Sequence, residues 1–153
     1  MKVDFESILP LACEWARIQE KIILEKGRPL LPRFINDANR VGVVHPDRVR
    51  TLLVGQIPVP EEPVLRAACE QTQLITKLTA GLTLRYGIFI RSDCAGDRRL
   101  HVHEYAHVAQ YERLGGLEQF LRKYLHEVTT IGYPQAPMEQ EAIKAESLIA
   151  RWK

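Results

Sequence analysis

Apolar residues recur at three- and four-residue steps early in the chain, at Ile8, Leu11, Ala12, Trp15, Ile18 and Ile22. That spacing places them on one face of a helix. The pattern predicts a helix over Ser7–Lys26, with Ser7 as its cap and Gly27 and Pro29 as its stop. A short helix is expected over Phe34–Arg40. The β-branched run Arg40–His45 has strand composition, and Val49–Val54 repeats it. Three prolines between Ile57 and Pro63 suit neither a helix interior nor a central strand, so this stretch reads as a surface crossing.

Val64–Leu78 returns to helical spacing. Leu82–Arg91 then alternates with period two, which predicts one strand with Leu82, Leu84, Tyr86, Ile88 and Ile90 on a single face. After a loop over Ser92–Asp97, helices are expected over Arg99–Leu114, stopped by Gly115 and Gly116, and over Leu117–His126. A loop from Thr129 leads to Pro137, which suits a first helical position, and a last helix to Trp152. The order predicts an α+β fold with a helical second half, and no repeat interrupts it.

Length and composition are consistent with this. The chain has 153 residues, enough for one core, so residues 1–153 are read as a single domain. Hydrophobic residues make up 46% and charged residues 26%, which is ordinary globular composition. With 21 basic and 19 acidic residues the net charge is +2, and no basic footprint for nucleic acid or an anionic membrane stands out. The pairs Arg48/Arg50 and Arg98/Arg99 read as solvated surface.

Cys13, Cys69 and Cys94 are too few and too widely spaced for a disulfide framework. Free thiols suit a reducing compartment, and Asp4, Glu6 and Glu14 spoil a signal-peptide pattern. No segment reaches the roughly 18 apolar residues of a membrane span. The expectation is a cytoplasmic protein without a membrane or nucleic-acid partner. Its oligomeric state is open.

Chemistry concentrates at His103-Glu104-Tyr105-Ala106-His107. On a helix, the four-residue step stacks His103 and His107 on one face, so both imidazoles reach one metal. Zinc accepts imidazole nitrogens at roughly 2.0–2.1 Å and prefers four ligands. Glu104, at the side of that face, is placed to take a proton from a zinc-bound water. A catalytic zinc needs a third side chain and an open position. A longer motif with glycine and a third histidine is absent, because Gln110 and Arg113 occupy those places. Glu139, Glu141, Glu146 and His126 remain as candidates.

HEYAHVAQYERLGG followed by PMEQEAIKAE resembles the gluzincin pattern of zinc peptidases. There the third ligand is a glutamate of an E-x-x-A element on a later helix. Glu139-Gln-Glu-Ala142 matches that element, so the resemblance implies Glu139, with Glu141 as the runner-up. GLTLRYGIFIRSD, VGVVHPDRVR and FLRKYL are similar to an uncharacterised bacterial family of small zincin-like domains, most specifically over residues 80–145. The resemblance implies a zincin-like domain whose edge strand, Leu82–Arg91, precedes the HExxH helix and pairs with an extended peptide.

The expected activity is therefore a zinc-dependent metallopeptidase acting on peptide or amide bonds of a protein or peptide substrate. Glu104 is the base, and Tyr133, in the loop before Glu139, is a candidate for stabilising the oxyanion. Tyr111 could border the site, and Gln110 could support a ligand. The alternative is a non-catalytic zinc-stabilised binding module or a latent peptidase. Residues 1–80 carry no motif with readable chemistry.

Overall fold

In the computed structural model, which describes residues 4–152, the first helix opens at Asp4 and not at Ser7. The Asp4 carboxylate accepts the Glu6 N–H at 3.2 Å, and helix α1 spans Phe5–Lys26. Its buried face is Ile8, Leu9, Ala12, Cys13, Ala16, Glu20 and Ile23, one step round from the expected stripe. Ile18 is consequently half exposed. Strand β1 (Arg28–Pro29) and helix α2 (Pro32–Arg40) follow.

The expected strand over Arg40–His45 is absent. Gly42 adopts φ +100°, and the chain turns there. The N–H groups of Val44 and His45 donate to the two oxygens of Glu112, at 2.8 and 3.0 Å. A carboxylate thus satisfies backbone donors that a strand ladder would otherwise take. Strand β2 (Arg50–Val54) forms as expected. Helix α3 (Pro63–Thr72) stops six residues before the expected end, where Gln73 takes a left-handed conformation at φ +59°.

The run Leu82–Arg91 is two strands, β3 (Gly81–Leu84) and β4 (Gly87–Arg91). The chain reverses at Arg85, whose φ is +60°. Glu20 of α1 pins this turn: its carboxylate accepts from Arg85 Nε at 2.8 Å and from the Tyr86 N–H at 3.3 Å. The sheet order is β1-β2-β4-β3, with β2 and β4 parallel and the other pairs antiparallel. The strand immediately before the HExxH helix is therefore internal, and the sheet's edges are β1 and β3.

The reversal also redistributes side chains. Leu82 pairs across from Phe89 and Thr83 from Ile88. Leu84 and Phe89 pack towards α1, whereas Ile88 and Ile90 pack towards α2 and helix α4 (Arg98–Leu114). The sheet therefore carries helices on both faces. Helix α5 (Leu117–Thr130) runs one turn beyond its expected end, and α6 (Pro137–Ser147) gives way to a 3₁₀ turn over Leu148–Arg151. Six α-helices and four strands among the described residues make this an α+β fold. No helix of the described residues is long and apolar enough to cross a membrane.

Arg98 is not simply solvated. Its Nε and one terminal nitrogen each donate to an oxygen of buried Asp37 at 2.8 Å, which ties α2 to the first turn of α4. Such a two-pronged contact fixes orientation as well as distance.

Candidate metal centre

Helix α4 owes its length to clear ends. Asp97 accepts the Leu100 N–H at 3.3 Å, and Gly115 closes the helix at φ +100°, its N–H donating to the Tyr111 carbonyl. Between these ends, His103 and His107 lie on successive turns, with ring centroids 5.0 Å apart. Helix α6 crosses this face. Small residues make the seam: Ala106 of α4 meets Ala142 and Ala145 of α6, with Val102 beside them. Ala142 is fully buried, so the helices approach without a larger side chain between them.

That approach brings Glu139 onto both rings. Its Oε1 lies 2.6 Å from His103 Nε2, and its Oε2 lies 3.2 Å from His107 Nε2. All three residues offer a ligand atom within 4.8 Å of the other two. A tetrahedral zinc with ligands at about 2.0–2.1 Å spaces its donor atoms by roughly 3.3 Å. The two gaps to Glu139 lie within an ångström of that spacing, and all three donor atoms lie within 4.8 Å of one another.

Hydrogen bonding settles which nitrogens face inward. Gln110 Nε2 donates to the Met138 carbonyl at 2.9 Å and to Glu141 at 3.0 Å. Its Oε1 therefore accepts, and His107 Nδ1 must donate to it at 2.8 Å. His103 Nδ1 donates to Glu146 at 2.8 Å. Both Nδ1 atoms being donors, both Nε2 atoms turn lone pairs towards the Glu139 carboxylate when the rings are neutral. Three acceptors facing one point require a cation between them, either a proton or a metal ion.

In the metal-free chain protons serve. Burial of the His103 ring opposes its charge, but Glu139, Glu104 and Glu146 outweigh that and raise its pKa to about 9. His107 is raised in the same way, burial being overcome by Glu139 and Glu104. Burial pushes the Glu139 carboxyl up, yet the two imidazoles hold it well below the usual carboxylate range. Tyr124 completes its shell by donating to Oε2 at 2.8 Å.

Glu104 is buried but is not part of this triad. Thr83 of the edge strand donates to its Oε1 at 2.8 Å. Its Oε2 lies against Gly81, where an added Cβ would come within 2.8 Å of it. Edge strand and helix thus hold the carboxylate from two sides. Tyr133 stands at the rim, 39% exposed, and borders the same cavity as His103, Glu104 and Glu139. Burial and then the neighbouring carboxylates push its phenol up to about 12, so it stays a proton donor.

The remaining candidates fall elsewhere. Glu141 lies on the solvent side of α6, held by Gln110 and by Arg113 at 2.5 Å. His126 is exposed on α5, its ring meeting the edge of Phe5. Glu146 sits beside a histidine of the cluster and outside the cluster itself. His101 is buried and donates from Nε2 to the Ala95 carbonyl at 2.7 Å, away from the cluster. Tyr111 stacks on Phe120 and donates to the Thr83 carbonyl at 3.0 Å, steadying the strand that holds Glu104.

The roles of Thr83, Tyr124 and Glu146 were not read from the sequence. Glu146 left a signal, because it is seven residues beyond Glu139 and so on the same helical face. Thr83 and Tyr124 left none that distinguishes them from ordinary packing. Compared with known proteins, the chain matches no family model, no curated protein and no solved structure.

Proposed function

We propose that the chain is a zinc-dependent hydrolase of peptide or amide bonds, with His103, His107 and Glu139 as ligands and Glu104 as general base. The observation that carries this reading is the convergence of the two imidazole Nε2 atoms on the Glu139 carboxylate, with a separately held carboxylate beside them. A purely structural site has no use for the latter, and structural zinc usually takes four protein ligands.

Zinc, when bound, supplies a Lewis acid that acidifies water and polarises a carbonyl. The chain does the rest. Gln110 and Glu146 hold the two imidazoles in the tautomer that offers Nε2. Glu104, fixed by Thr83, takes the proton of the attacking water at its free oxygen and returns it to the leaving amine. Tyr133 keeps its proton and donates it as a hydrogen bond to the oxyanion that develops. Strand β3, at a sheet edge beside Glu104, is where an extended substrate would add main-chain hydrogen bonds, at its less buried end over Gly81 and Leu82. Edge strand, HExxH helix and glutamate-bearing later helix support a zincin-like reading of the domain.

A second reading is a zinc staple without catalysis, serving a binding module. It is favoured by one observation: the same three residues join α4 to α6. Peptide-library cleavage by the zinc-loaded chain, with Glu104→Gln alongside, separates the two. The hydrolase reading expects chelator-sensitive cleavage that falls about 10²–10⁴-fold in Glu104→Gln with zinc retained. Equal cleavage by parent and variant contradicts it, and absence of cleavage by the parent favours the staple.

A further inference from the structure

The cluster of His103, His107 and Glu139 lies at the mouth of a cavity of about 130 Å³ that runs inward between α1, α3 and α5. Its apolar wall combines Ala12 and Trp15 from α1, Leu65 and Ala68 from α3, and Leu121 and Leu125 from α5. The polar atoms along it already have partners. Thr72 Oγ1 donates to the Ala68 carbonyl at 2.9 Å, Thr129 Oγ1 to the Leu125 carbonyl at 2.8 Å, and Tyr111 to Thr83. With these hydroxyl protons already taken and the rest of the wall apolar, a polar ligand gains little there and loses its hydration.

On the other side of the cluster the surroundings change. A polar cleft runs over Thr76, Asp97 and Glu146, and His103, Glu104, Gly81 and Tyr133 border both spaces. A substrate whose reacting bond lies at Glu104 thus meets an apolar interior on one side and a polar opening on the other.

We propose that the inner cavity receives one benzene-sized apolar group of the substrate, adjacent to the reacting bond. This rests on the hydrolase reading and adds to it the substrate class. Size selects the group: a cavity of roughly 150 Å³ in another protein holds benzene, so one aromatic or branched side chain fits here and a long acyl chain does not. Helices α1 and α3, from the part of the chain silent in chemical motifs, then contribute to specificity together with α5.

The test compares 3-phenylpropanohydroxamic acid with acetohydroxamic acid on the zinc-loaded chain by calorimetry. The phenyl probe should bind at least about tenfold more tightly, as burial of a ring's apolar surface warrants. In Ala12→Leu and Ala68→Met, which fill the cavity, that preference should fall below about threefold, while acetohydroxamate binds as to the parent. Equal affinities in the parent, or an undiminished preference in both variants, would overturn the proposal.

A metal-independent arm keeps the two readings apart. In Trp152→Phe, Trp15 is the remaining tryptophan of the two in the chain and lines the cavity. Its fluorescence should respond to 3-phenylpropanol, and the response should vanish when Ala68→Met is added. That response without any hydroxamate binding rejects the zinc site and keeps the apolar site, and a silent Trp15 rejects the apolar site. If the filled variants do not fold, Leu65→Ala should admit a naphthyl analogue that the parent excludes, and its exclusion from both counts against the proposal.

Discussion

Gln110 Oε1 accepts a hydrogen bond from His107 Nδ1 at 2.8 Å, and the same amide donates to the Met138 carbonyl of the facing helix. One side chain therefore fixes the tautomer of the His107 imidazole and its distance from the helix that carries Glu139. Its counterpart on the other histidine is Glu146.

Gln110→Ala and Glu146→Ala should each weaken zinc binding by about 10–100-fold without abolishing it, as loss of a supporting partner commonly does. Glu141→Gln should leave affinity nearly unchanged, because residue 141 lies on the solvent side and a glutamine there still offers an amide oxygen to Gln110. Competition against a calibrated chelator measures all three. Parent-like affinity in both alanine variants would show that the imidazoles are oriented by packing alone.

Gly81 is needed for its lack of a side chain. An alanine Cβ there would lie 2.8 Å from Glu104 Oε2 and 3.0 Å from its Cδ. Gly81→Ala should therefore displace Glu104 while leaving His103, His107 and Glu139 in place. The expected outcome is one zinc per chain with hydrolysis reduced at least about tenfold, since small misplacements of reacting groups are costly. Metal content and cleavage rate measured on one preparation check it, and full activity would mean that Glu104 is not held as described.

Zinc must displace protons. The pKa of His103 is raised to about 9 in the metal-free chain, so the ring is charged at pH 7, whereas zinc requires it neutral. Binding at pH 7 should release at least one proton, and apparent affinity should rise with pH until about 9. The sign for folding is opposite. In the metal-free chain the stabilisation from charged His103 is fully present below its ordinary value and is lost as pH rises through about 9. Calorimetry in two buffers of different ionisation enthalpy counts the protons, and a count of zero would contradict the charged state.

The sequence made the site more legible than the sheet, for physical reasons. His103 and His107 need only a regular helix to converge, so their spacing carries the geometry. Glu139 was reached through the E-x-x-A resemblance, and buried Ala142 shows why the alanine matters: it closes the α4–α6 seam. The hairpin was hidden because Leu82, Leu84, Tyr86, Ile88 and Ile90 keep period two straight through the reversal at Arg85. Glu20, which pins that turn, is 65 residues away in sequence from Arg85. Val41–Val44 has strand composition, but the N–H groups of Val41, Gly42 and Val43 turn back to the Asp37, Asn39 and Ala38 carbonyls, and those of Val44 and His45 go to Glu112, a partner distant in the chain. Local pattern reports local structure; in both exceptions a remote carboxylate, Glu20 or Glu112, takes backbone donors that the pattern does not reveal.

The central claim is that His103, His107 and Glu139 form one zinc site, and elemental analysis of the purified chain tests it most directly. The parent, loaded and then freed of loose metal, should retain one zinc per chain. His103→Ala, His107→Ala and Glu139→Gln should retain far less while keeping the parent's helical circular dichroism. A parent that holds no zinc under these conditions, or variants that hold as much as the parent, would contradict the account.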